Sequence, residues 1–222
     1  VLCDEYKKEI EVLCSRIRDN GAIINVSVLN HASTSFPASL DSTLGIRGAF
    51  NVDPYKIWYN AKNEIQCVSN LTPVLVSNID CKKTFFGGNS KATALVSGLL
   101  AKAMYTMQID GENALKSLVI KTDWCEDDIQ KEFTVQNKEK VGVELLALSE
   151  QVCDFLKFNK KQRENILERT LFPPSIYIEK EQFICLIEYL SAFYHKEVIL
   201  GQFEISNLST ISSIYRYFKG EK

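Results

Sequence analysis

Histidine is scarce in this chain of 222 residues: there are two, His31 and His195. A histidine-dependent reaction or a histidine-rich metal site must use one of them or borrow from another chain. Seven cysteines stand at positions 3, 14, 67, 81, 125, 153 and 185. None forms Cys-x-x-Cys, which excludes a zinc ribbon and a thioredoxin-type motif. Their scatter and odd number predict reduced, mostly buried thiols in a cytoplasmic protein. No apolar run approaches the roughly 20 residues of a membrane span, and no signal-peptide pattern opens the chain. Neither sign of charge dominates: 26 Lys and Arg meet 28 Asp and Glu, for a net charge of −2. That balance speaks against nucleic acid or a membrane surface as partner. The residues point to no metal and no cofactor. The chain opens on Val1 rather than Met, as a processed product or a fragment does.

What is present is a globular composition, 45% hydrophobic and 24% charged, enough to bury a core. The length allows one large domain or two small ones. Residues 1–125 carry 13 basic and 12 acidic side chains, and residues 126–222 carry 13 and 16. The polar segment 126–140 reads as a linker or solvated helix. We therefore divide the chain into an α/β domain over 1–125, a linker over 126–140 and a helical bundle over 141–222.

In the first part, Leu2, Tyr6, Ile10, Leu13, Cys14 and Ile17 fall at helical spacing within residues 2–18, and Asn20-Gly21 ends that helix. Residues 22–29 are nearly continuous apolar sequence, as in a buried parallel strand. Residues 44–50, 64–69 and 74–77 are further strand candidates. Residues 91–107 form a helix with Ala92, Leu95, Val96, Leu99, Leu100 and Ala103 on one face. Its small residues Ala92, Ala94, Ser97, Gly98 and Ala101 predict unusually close packing. A later helix covers 112–121. The aromatic cluster of Tyr55, Trp58 and Tyr59 reads as an insertion packed on the sheet, and Lys82-Lys83 as a solvated turn. The second part predicts four helices, over 141–158, 160–170, 179–194 and 209–219, the last capped by Ser209 or Asn207. They make a small bundle, with His195 at a helix end.

The sharpest local feature is Gly87-Gly88-Asn89-Ser90-Lys91-Ala92, running straight into a helix. Serine at a helix N-terminus meets free backbone N–H groups and the positive end of the dipole. Glycines before it let the chain turn sharply and leave the side chain accessible. That geometry suits an acyl-transfer nucleophile. It also suits an ordinary Gly-rich turn with Ser90 as the N-cap. Upstream, the strand at 22–29 ends in Asn30, whose side-chain amide can donate to a developing oxyanion.

The order of helix, strand, Asn30, the Phe36-Pro37-Ala38 loop, the Gly45-Ile46-Arg47-Gly48-Ala49 strand, two more strands and Gly-Asn-Ser with its helix resembles the C-terminal half of a subtilisin-like serine peptidase domain. The resemblance covers about residues 1–122. It implies an α/β fold with part of a parallel sheet, Ser90 as the nucleophile and Asn30 as the oxyanion-hole residue. Asn70-Leu71-Thr72-Pro73 occupies the family's Ala-Pro-Gly region without its glycine. The motif's Thr, Met and closing Pro are Asn89, Lys91 and Ala94 here, and the Gly before the oxyanion residue is Leu29. Lys91 is expected either to be solvated at the cleft or to mark a site no longer kept for hydrolysis. The family's catalytic Asp and His lie in its N-terminal half, which has no counterpart in this sequence. His31 matches no family base and reads as a loop residue. Half of such a sheet leaves a strand edge open, so the resemblance implies an N-terminal half or a partner chain that completes the sheet.

Residues 179–219, preceded by 141–172, resemble an acyl carrier protein. Where that family carries the serine for phosphopantetheine, this chain has Glu179, Lys180 and Glu181, so no cofactor attachment is expected. Ser175 lies about one helical turn too early to replace it. Together the resemblances imply a serine peptidase portion that cleaves peptides or proteins once Asp and His are supplied. The alternative is a catalytically degenerate scaffold that binds protein partners in a peptide-modifying or natural-product pathway.

Overall fold

A computed structural model of the chain describes residues 6–30, 32–50, 52–77, 83–133, 142–172, 178–198 and 208–220. The chain divides into two compact units. The first is Val1–Thr72 with Gly87–Ile129, and the second is Pro73–Phe86 with Gln130–Lys222.

The first unit is α/β. It contains α1 (Lys7–Asp19), β1 (Asn25–Ser27), β2 (Leu44–Ala49), β3 (Ile57–Tyr59), β4 (Cys67–Asn70), α2 (Gly88–Met107), α3 (Gly111–Leu118) and β7 (Val119–Lys121). Helix α4 (Glu126–Phe133) begins at its end. The five strands form one sheet in the order β1-β2-β4-β3-β7. Strands β1, β2 and β4 run parallel, with Val26 opposite Gly45 and Ile46 opposite Cys67. Strand β3 is antiparallel to β4, and β7 is parallel to β3.

Alternation along β2 and β4 sets the two faces of the sheet. Leu44, Ile46, Ile57 and Cys67 meet Ala92, Val96, Leu100 and Ala103 of α2 and Ala114 of α3. Ala92 is fully buried, which lets the start of α2 lie close on the sheet. Three other small residues of α2 do not serve that contact. Ala94, Gly98 and Ala101 are exposed, and a Cβ on Gly98 would meet nothing within 4 Å. Ser97 is half-buried and accepts a hydrogen bond from Asn25 Nδ2 at 2.9 Å.

Helix α1 buries little. Cys14 is its one buried residue, while Tyr6, just before it, and Leu13 and Ile17 within it are about half exposed. Strand β1 has one sheet neighbour, β2, so its outer edge is unpaired among the described strands.

The second unit joins a hairpin to helices. Strands β5 (Val74–Ser77) and β6 (Lys83–Phe86) pair antiparallel, with Val74 opposite Phe86. The sequence predicts the strand at 74–77, and it lies in this separate ribbon and not in the main sheet. Phe85 packs edge-on against Phe172 and Phe183, with ring centroids 5.9 and 5.4 Å apart. The helices are α5 (Val143–Phe155), α6 (Lys160–Glu164), α7 (Lys180–Tyr194) and α8 (Ile211–Lys219). Leu148, Val152, Phe183, Leu186, Leu190, Ile211 and Ile214 are buried along them. Helix α8 is capped by Thr210, whose side chain accepts from the Ser213 N–H, and not by Ser209 or Asn207 as expected. Asn207 lies outside the described residues. Glu144 accepts from the Tyr215 hydroxyl at 2.8 Å and pairs with Lys219 at 3.1 Å, tying α5 to α8. Those two contacts hold the Glu144 carboxyl below its ordinary range.

Of the free cysteines described, Cys14, Cys67 and Cys153 are buried while Cys125 and Cys185 are exposed. Burial pushes the Cys67 thiol far up, which makes it an inert core residue. No helix among the described residues is long and apolar enough to cross a membrane.

Candidate functional site

The site lies where the ends of β1, β2 and β4 meet the start of α2. Beyond β1, the Val28 N–H donates to Ile46 O at 2.9 Å, and the Leu29 N–H donates to Ser35 Oγ at 3.0 Å. Those bonds carry the backbone to Asn30, which is exposed. From the other side, the Gly88 N–H donates to Leu71 O at 3.2 Å.

Asn89 fastens the two sides together. Its Oδ1 accepts from the Gly48 N–H at 2.8 Å, and its Nδ2 donates to Val28 O at 3.0 Å. Its backbone N–H donates to Asn30 Oδ1 at 3.3 Å. One side chain therefore joins α2 to β2 and to the end of β1, and its own amide holds Asn30. Gly48 and Gly88 both permit this. A Cβ on Gly48 would lie 2.3 Å from the Leu71 Cβ. Gly88 has φ +69°, and a Cβ there would sit 3.1 Å from Asn30 Oδ1.

The N-cap of α2 is Gly87, which makes no side-chain cap. Ser90 is the third residue of the helix and not its N-cap, so the ordinary Gly-rich-turn reading does not describe it. Its side chain is exposed, and among the described residues its hydroxyl has no hydrogen-bond partner. At this position the backbone N–H also lies outside the helical ladder. With Asn30 Oδ1 turned to Asn89, the Nδ2 end of the same amide remains without a protein partner among the described residues. The structure thus gathers a free serine hydroxyl, a free helix N–H and a free carboxamide donor around one turn. Given a base to take the serine proton, that set can attack a carbonyl carbon and hold the resulting oxyanion.

Lys91 is not solvated at a cleft. It is 6% exposed, and its Nζ donates to Asn70 Oδ1 at 2.6 Å. Asn70 in turn donates from Nδ2 to Val52 O at 2.7 Å and accepts from the Thr72 N–H at 3.0 Å. Asn70 thus sets the turn out of β4 and gives Lys91 a buried polar anchor.

His31 and Ser175 lie outside the described residues. His195 is the C-cap of α7, exposed, with φ +51°. The first unit holds no histidine among its described residues. Glu179 is the N-cap of α7, its N–H donating to Gln182 Oε1 at 2.9 Å, with Lys180 and Glu181 opening the helix. The Asn89 clamp and the burial of Lys91 were not read from the sequence. Asn89 in place of the motif's threonine is the one signal in the sequence, since a carboxamide carries its donor and its acceptor on separate atoms.

No family model, curated protein or solved structure matches the chain.

Proposed function

We propose that this chain is the nucleophile-bearing portion of a subtilisin-like serine peptidase. Ser90 attacks a peptide carbonyl while Asn30 Nδ2 and the Ser90 N–H hold the oxyanion. The Asp and His come from a segment or partner chain that completes the sheet beside β1. The substrate is a peptide or protein, and the setting is cytoplasmic. The reading rests on one observation. Asn30 is held at the N-terminus of α2, next to a Ser90 whose hydroxyl no described residue engages. The outer edge of β1, unpaired among the described strands, fits a further neighbour there.

A fluorophosphonate probe applied to the assembly isolated with its partners tests this. Labelling at Ser90, lost in Ser90→Ala, is the expected result. No labelling leaves the second reading, a scaffold that binds protein partners without hydrolysis. That reading is favoured by Glu179 serving as a helix cap where carrier proteins have their modified serine. The second unit is, on this view, a carrier-like bundle without a phosphopantetheine.

A further inference from the structure

On the sheet face opposite α2 there is a cleft of about 350 Å³. Three separate stretches build it: the loop at Thr34, the turn Lys62–Ile65 and the β7–α4 junction at Trp124–Glu126, with Arg47 of β2 inside. Ile46 faces α2, so its neighbour Arg47 faces the other way.

The walls are set firmly. Trp124 is 3% exposed, and its Nε1 donates to Gln66 O at 2.9 Å. Its carbonyl accepts from Asn60 Nδ2 at 3.1 Å and from Asn63 Nδ2 at 3.0 Å. Thr34 Oγ1 donates to Glu64 Oε1 at 2.9 Å, closing the side toward β1.

Arg47 is the unusual member. Its side chain is 14% exposed, and its two Nη atoms donate to Glu126 at 2.6 and 3.3 Å. A guanidinium carries five N–H donors. The remaining donors of Arg47 have no partner among the described residues. Arg47 lines the cleft, and a carboxylate is the planar acceptor that suits its remaining donors. The cleft also carries Lys62, and two carboxylates, Glu64 and Glu126. Two cations and two anions leave no net charge. A purely anionic ligand meets the carboxylates unfavourably, and a purely cationic one meets Arg47 and Lys62.

We propose that this cleft binds a small zwitterion of the amino-acid or dipeptide class. Its carboxylate takes the free N–H groups of Arg47 with Lys62 beside it, and its ammonium faces Glu64 and Glu126. The cleft volume falls at the small end of ligand sites, which suits a ligand of this size. This proposal does not depend on the reading of Ser90.

Nuclear magnetic resonance on the full chain tests it, following the indole N–H of Trp124 and using Trp58, the other tryptophan, as control. L-alanyl-L-alanine, its C-terminal amide, its N-acetyl form and free L-alanine are titrated in turn. The dipeptide or free alanine shifts Trp124 saturably. Amidation and acetylation each weaken binding by about tenfold or more, because each removes one charge. Arg47→Met abolishes the shift. Lys62→Met, at an exposed position that does not threaten folding, weakens it several-fold. The proposal fails if neither zwitterion moves Trp124 at roughly 20 mM. It also fails if the blocked dipeptides bind as well as the free one.

Discussion

The side chain of Asn89 donates to the carbonyl of Val28 at 3.0 Å, and by that bond the helix bearing Ser90 is tied to the strand that leads to Asn30. The same side chain accepts from the Gly48 N–H at 2.8 Å. The proposed nucleophile and the proposed oxyanion donor thus keep their spacing through a third side chain, that of Asn89.

Asn89→Ala removes both bonds and leaves a part-buried N–H and C=O unsatisfied. We expect a loss of about 2 kcal/mol, measured by urea unfolding. Asn89→Thr recovers less than half, because one hydroxyl cannot span both partners.

Gly88→Ala meets two obstacles. The left-handed backbone at φ +69° costs an alanine about 1 kcal/mol, and the new methyl displaces the Asn30 amide. Stability falls by that order, and fluorophosphonate labelling of Ser90 falls with it. Ser90→Ala, by contrast, changes an exposed and unbonded hydroxyl. It leaves stability within about 0.5 kcal/mol while abolishing labelling.

Asp128 gives the first unit a measurable acid limit. Lys121, 2.8 Å away, and the Cys125 N–H, at 2.9 Å, lower its pKa from 3.8 to about 2. A carboxyl depressed in the folded state adds stability above its unfolded pKa, and that stability is lost as pH falls through the folded value. Wild type therefore loses more stability between about pH 4 and pH 2 than Asp128→Asn does, in urea titrations at each pH.

Phe85→Ala tests the hairpin. Phe85 touches the rings of Phe172 and Phe183 but is only half-buried. The cost is about 2 kcal/mol, below that of a fully buried phenylalanine. It is read in the unfolding of the helical unit, followed by the near-ultraviolet signal of its aromatic residues.

Periodicity made the strands at 44–50 and 74–77 and the helix of Ser90 legible, because each keeps one period long enough to register. Strand β3 is three residues long and aromatic, so it reads as a packed insertion. Strand β6 begins at Lys83, inside what reads as a solvated turn, because Lys83 is in the ribbon by pairing with Ser77 and not by local sequence. Segment 126–140 reads as polar, yet Ile129 of α4 is fully buried. Ser90 and Asn30 were visible as candidates because a glycine pair and a strand end mark them. Lys91 was not, since a lysine is buried only where a partner such as Asn70 waits, and no spacing rule announces that contact. The Arg47 cleft was hidden for the same reason, as its walls come from three segments far apart in sequence.

The excursion of residues 73–86 out of the first unit has a practical result for anyone dividing this protein. A protease that nicks the chain between 134 and 141 yields two fragments, and the boundary between them is not the boundary between the units. The larger fragment keeps Phe85, and the smaller keeps Phe172 and Phe183, so the pieces should co-elute until denaturant parts those rings. Expressing residues 142–222 alone bares the same aromatic pocket. The bundle is then a sticky protein, and soluble material requires carrying the hairpin along, by fusion or in trans.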